Sequence, residues 1–182
     1  MTTFPKAAAL EISAKLLRAA GDRIEAGELE LGQGYDRRQS LLIVVGEGSA
    51  EPDANAQVAK FTRMLWEGMG FGWAETCYGE VARPSLDECL EQTQSLGLRR
   101  VIVFPWTLFN PALMEKIQDT VTTYRHAQRA GEIVMASPLD NHPLLLESLL
   151  ERLQQAEHGS DAMNCQFCRY REPSEAAGLG KP

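Results

Sequence analysis

"LLIVVGEGSAEPDAN", residues 41–55, sets the reading of the whole chain. Its first five residues are apolar without a break and rich in β-branched side chains, the pattern of a short strand buried on both faces. Gly46 and Gly48 then flank a single side chain, Glu47, and let the backbone turn tightly and approach a ligand. Pro52 and Asp53 open a helix, with the acid placed at its positive end. A strand, a glycine turn and a helix in that order form the unit in which open α/β sheets place ligands, at the carboxyl ends of strands. Glu47 stands at the tip of that turn.

The cycle repeats downstream. Strands are expected over 72–81, 99–106 and 132–139, and helices over 84–97, 110–131 and 142–159, with proline near several helix starts and glycine at several ends. This alternation predicts an α/β fold with about four mostly parallel strands, helices on both faces and right-handed crossovers. The loops at 46–52, 77–83, 104–111 and 137–142 then gather at one end of the sheet. Upstream, Thr2 and Thr3 can cap a helix with Pro5 in its first turn, and Leu10, Ile12, Leu16, Leu17 and Ile24 recur at roughly helical spacing until Gly27. The expected organisation is a helix and linker over 1–36, an α/β domain over 37–158, and an irregular, partly mobile tail over 159–182.

The 182 residues suit one domain rather than two. A formal charge of -7 disfavours binding to nucleic acid or to an anionic membrane surface, both of which need clustered cations. No apolar run approaches the roughly 20 residues that span a bilayer, and the start lacks a secretory pattern, so the cytoplasm is expected. The four cysteines, Cys77, Cys89, Cys165 and Cys168, are not spaced as a disulfide framework.

Several residue groups could carry chemistry. The turn at Gly46, Glu47, Gly48 and Ser49 could offer backbone amides to an anionic group; equally, the glycines could simply make the turn while Glu47 is solvated. It lacks both the dinucleotide fingerprint and the phosphate-loop lysine, which argues against nucleotide binding. His142, before Pro143 at a helix start, fills space or hydrogen-bonds the turn, or else touches a ligand or metal, whereas His126 and His158 fall on polar helix faces. Trp66, Phe71 and Trp73 read as core packing, while Trp106, at the end of the third strand, could line a pocket for a flat ligand. In "MNCQFCRYR", residues 163–171, Cys165 and Cys168 could bind one metal or iron; the alternative is two ordinary cysteines in a loose tail. A complete tetrahedral site needs two more ligands, which a homodimer could supply.

"LLIVVGEGSAEPDANAQVAKFTRMLWEGMGFGWAETCYGEVARP", "RRVIVFPWTLFNPALMEKI", "NHPLLLESLLERL" and "MNCQFCRYR", in that order, resemble the carboxyl-terminal half of the long sirohydrochlorin cobaltochelatases of the CbiX type. The likeness covers nearly the whole chain. It implies a class II, lyase-type chelatase of cobalamin biosynthesis, with flavodoxin-like halves that hold a tetrapyrrole in a cleft and insert cobalt without ATP. It also implies that the first helix resembles the closing helix of a preceding half, so that a partner half or a second copy would complete the site. In the catalytic copies of the family a histidine stands where this chain has Glu47, and a second metal histidine stands near Leu113. Glu47 could present a divalent ion or accept a proton; Leu113 can do neither, and the alternative reading is a noncatalytic tetrapyrrole- or metal-binding protein or partner subunit. Gly46, Gly48, Ser49, Trp106 and Asn110 are the expected substrate contacts, and Glu47, His142, Cys165 and Cys168 the expected metal contacts, the cysteines through an iron-sulfur cluster.

Overall fold

The computed structural model describes residues 12–32, 36–127 and 131–157, with side chains to residue 154. Four parallel strands form one sheet: β1 (Ser40–Gly46), β2 (Trp73–Tyr78), β3 (Arg100–Trp106) and β4 (Glu132–Met135), in the order β2-β1-β3-β4. This is the flavodoxin-like order expected of the alternating pattern. The helices are α1 (Ala14–Glu30), α2 (Pro52–Met69), α3 (Leu86–Thr93), α4 (Pro111–His126) and α5 (Pro143–Glu157).

β1 is central: it is apolar from Leu41 to Val45, and all seven of its residues are buried. Its side chains alternate between two cores. Leu42 and Val44 join Ile102 and Phe104 under α1, α2 and α5, where Leu16, Ile24, Phe61 and Leu145 close the layer. Leu41, Ile43 and Val45 join Val101 and Val103 under α3 and α4, against Leu90, Ile117 and Val121. Each such side chain contributes about 1.5–3 kcal/mol when fully buried, which pins the register of the strand.

Local chemistry sets the helix starts. Ser13 caps α1 by accepting from the Leu16 amide, so the described helix begins there rather than at Thr2 or Thr3, and it runs beyond Gly27 to Glu30. Thr2, Thr3, Pro5 and Leu10 lie outside the described residues. Ser85 and Glu88 form a reciprocal capping box on α3, and the backbone amide of Ser85 holds the Glu88 carboxyl below the usual range. Asn110 caps α4 through the Leu113 amide.

Three expectations need correction. β2 and β4 are shorter than predicted, ending at Tyr78 and Met135. The chain after Met135 carries Ser137 and Pro138, and proline cannot extend a ladder. Helix α4 is described to His126, short of Gly131, which instead leads directly into β4. Of the aromatic trio, Phe71 is buried and half-buried Trp66 packs against the core, but Trp73 is 39% exposed, lies tilted against Trp66 with ring centres 5.0 Å apart and donates to Glu75.

Candidate functional site

Two strands that are neighbours in the sheet but not in sequence place the site. The chain leaves β1 towards β2 on one side and returns to β3 on the other, so the order reverses between β1 and β3, where open α/β sheets bind ligands. Gly46 and Trp106 are register partners at the carboxyl ends of these strands. Just beyond them lies a cavity of about 430 Å³. Its polar rim is Glu47, Ser49, Asn55 and Thr107, and its apolar wall includes Val58, Trp106, Leu108 and Leu139. A groove of about 590 Å³ between α1 and α2 is larger, but it is away from the carboxyl ends of the strands and is edged by the Arg18–Asp22 ion pair.

Gly48 makes the turn. Its φ of 91° lies in the left-handed region, and an added Cβ would stand 3.1 Å from the Ala82 amide nitrogen. The loops after β1 and β2 are tied together, with the Gly79 amide donating to Gly46 and the Glu80 amide to Glu47. The Glu47 side chain is exposed at the cavity rim, and its carboxylate accepts from the hydroxyl of buried Thr107. Trp106 is held against Phe61, ring centres 3.9 Å apart, and so presents a fixed aromatic surface.

Asn55 locks the other side of the turn. Its side chain accepts from the Ser49 amide at 2.9 Å and donates to the Ser49 carbonyl at 2.8 Å, while its own carbonyl accepts from the Tyr78 hydroxyl. Burial raises the Tyr78 phenol above its ordinary range. The Ser49 amide is therefore already bonded, and the Ser49 hydroxyl accepts from Glu51. Of the turn's amides, that of Ser49 is bonded to Asn55 rather than open to an anion.

The structure brings Glu47, Gly48, Ser49 and Trp106 to one cavity, with Gly46 directly behind them. It does not bring Asn110 or His142 there. Asn110 spends its side chain on the start of α4. His142 faces α1, with Nε2 3.5 Å from Asp22 and Nδ1 accepting from the Leu144 amide, so it stands apart from Glu47 as a ligand. Leu113 is buried in the core under α3 and α4. Cys165 and Cys168 lie outside the described residues, as does His158; His126 is exposed. Among the described residues no group of three or more His, Cys, Asp or Glu side chains could hold a metal ion. Nor is any helix among them long and apolar enough to cross a membrane.

A family model, CbiX, matches residues 41–156, from the first residue of the apolar block into the last turn of α5. The chain belongs to the CbiX family. It is 32% identical over 163 residues to the sirohydrochlorin cobaltochelatase of Priestia megaterium, covering 90% of this chain and 50% of that protein. It is 27% identical over 130 residues to the chloroplastic sirohydrochlorin ferrochelatase of Arabidopsis thaliana, covering 70% and 58%. This CbiX-family chain thus spans about half the length of the curated relatives it matches. SirB from Bacillus subtilis, solved with Fe3+, superposes with a TM-score of 0.68 at 19% identity, covering 83% of this chain and 58% of that one. That likeness is one of fold.

Thr107 and Asn55 are the rim residues that sequence reading missed. The signal for Asn55 was its place in the first turn of α2, where an amide side chain can reach back to the turn before it. For Thr107 the signal was its equal offset from the end of β3, visible only once β1 and β3 are known to pair.

Proposed function

We propose that this chain takes part in inserting a divalent metal, cobalt foremost, into a sirohydrochlorin-type tetrapyrrole without ATP. Glu47 is the metal-presenting and proton-accepting group. The observation that carries this reading is an exposed carboxylate on the rim of a cavity walled by Trp106, Leu108, Val58 and Leu139, in a chain of the CbiX family. The apolar wall suits the face of a macrocycle, and the carboxylate suits the ion that must enter its centre.

Insertion of one divalent ion releases two pyrrole protons, so a base must stand beside the metal. Glu47 accepts one as the ion leaves it for the ring nitrogens, and the second passes to water. The chain spans about half the length of the relatives it matches; a second copy or a second chelatase half facing the cavity would supply a further wall. The priority given to cobalt follows the cobaltochelatase relative, with iron the competing cargo from the ferrochelatase relative. An iron-sulfur cluster on Cys165 and Cys168 is a separate part of the proposal, supported by their spacing and by Arg169 and Arg171 beside them. Iron and acid-labile sulfide in anaerobically purified protein decide it.

The deciding experiment is the absorbance of sirohydrochlorin with the purified chain, before and after cobalt(II). Conversion faster than the protein-free rate supports the reading. A bound but unconverted spectrum would make the chain a carrier or partner subunit, and an unchanged spectrum would remove the tetrapyrrole altogether.

A further inference from the structure

We infer that Thr107 is a positioning residue for Glu47, occupying one carboxylate oxygen with its hydroxyl and leaving the other to meet the metal. The inference rests on the reading of Glu47 as the metal-presenting group.

Register creates the pair. Gly46 and Trp106 are partners across parallel strands, so Glu47 and Thr107, each one residue further on, leave the sheet side by side. Their environments differ. Thr107 is 5% exposed, whereas Glu47 is exposed at the rim. The buried hydroxyl donates to the Glu47 carboxylate, and so a fixed group anchors a free one. A glutamate side chain left to itself spreads over many rotamers, and ordering it on metal binding costs free energy that a standing hydrogen bond has already met. The same bond fixes the mode of contact. With one oxygen held by Thr107, a divalent ion meets a single oxygen, as suits a group that must hand the ion on. Hydrogen-bond partners that orient metal ligands are typically worth about 10–100-fold in metal affinity or activity.

The test is cobalt(II) titration of the full chain without tetrapyrrole, followed by the visible absorption of bound cobalt. It compares the parent with Thr107→Val, Thr107→Ser, Glu47→Ala and the double variant Glu47→Ala with Thr107→Val. Valine matches threonine in shape and removes the hydroxyl. The expected result is a Kd about 10-fold weaker for Thr107→Val. Thr107→Ser should recover near-parental affinity, and Thr107→Val should add nothing in the Glu47→Ala background. In turnover, Thr107→Val should raise KM for the metal while kcat changes little. Parental affinity in Thr107→Val alongside a loss in Glu47→Ala would overturn the inference alone. So would failure of serine to rescue, or a valine effect that persists without Glu47. Parental affinity in Glu47→Ala would instead sink the metal-presenting role itself, and the inference with it.

Discussion

Leu113 fills the space that a Cβ on Gly79 would need. The contact joins the first turn of α4 to the loop after β2, and Lys116 closes it by donating to the Gly79 carbonyl at 2.6 Å. The Leu113 side chain is 2% exposed and seated in the core under α3 and α4.

Gly79→Ala should therefore destabilise the fold by about 1–3 kcal/mol through overpacking against Leu113. Leu113→His should cost about 2 kcal/mol or more, because it removes apolar contacts and buries a polar ring without a partner. Neither substitution should raise cobalt affinity. Denaturant midpoints and cobalt titration check both; tighter cobalt binding in Leu113→His would mean that the first turn of α4 can swing its side chain into the cavity.

Glu47 gives the functional prediction. A lone carboxylate is a weaker site for cobalt than one containing imidazole, so parental activity should be low and steeply dependent on metal concentration. Glu47→His should tighten cobalt binding by about 10-fold, equivalent to about 1.4 kcal/mol, and raise the chelation rate, whereas Glu47→Ala should abolish what remains. Initial rates of sirohydrochlorin conversion across a cobalt series make the comparison. A Glu47→Ala protein that chelates like the parent would show the acid to be a bystander.

Much of this was legible at the level of the backbone. The unbroken block at 41–45 announces a central strand because only a strand covered on both faces can afford no polar residue, and the glycines after it announce the turn. Glu47 and Trp106 could be named because each sits at a strand end. The partners of those residues could not. Thr107 meets Glu47 through the β1–β3 register, and His142 meets Asp22 across the contact between α1 and the α5 start, contacts between segments 60 and more residues apart that local pattern does not encode. Trp73 was misread for a similar reason: an aromatic residue opening an edge strand can lie against a neighbouring ring at the surface instead of entering the core.

Asn55 holds the turn by bonding both backbone groups of Ser49. Asn55→Ala should loosen the loop and lower stability by about 1–2 kcal/mol, the net worth of one or two hydrogen bonds and a partly buried amide left unmet. Hydrogen exchange resolved by peptide should show faster exchange confined to residues 46–51 and the facing loop after Tyr78. Exchange unchanged there would mean that the φ of Gly48 and the strand ends suffice to fix the turn.

Cys77 and Cys89 are buried in the core between β2 and α3. The Cys77 thiol is pushed well above its ordinary range, first by its hydrogen bond with Cys89, then by burial, then by the charges of Cys89, Asp87 and Glu75. Thiolates are the reactive form, so Cys77 should resist iodoacetamide in the native protein and react once denaturant opens the core, as read by peptide mass spectrometry. The sign of the pH effect follows. A folded-state pKa above the unfolded value means that the native state keeps the proton longer, so the contribution is fully present below the unfolded thiol pKa of about 8.5 and is lost as pH rises from there towards the folded value. Over that alkaline window the unfolded state releases one more proton than the native state, and stability should fall by up to about 1.4 kcal/mol per pH unit from this group. Cys77→Ala lowers stability at neutral pH by leaving a small cavity, but it removes the titrating thiol. The stability difference between parent and variant should therefore be flat up to about pH 8 and narrow above it. A difference that stays constant through pH 10 would show that the Cys77 thiol titrates alike in both states.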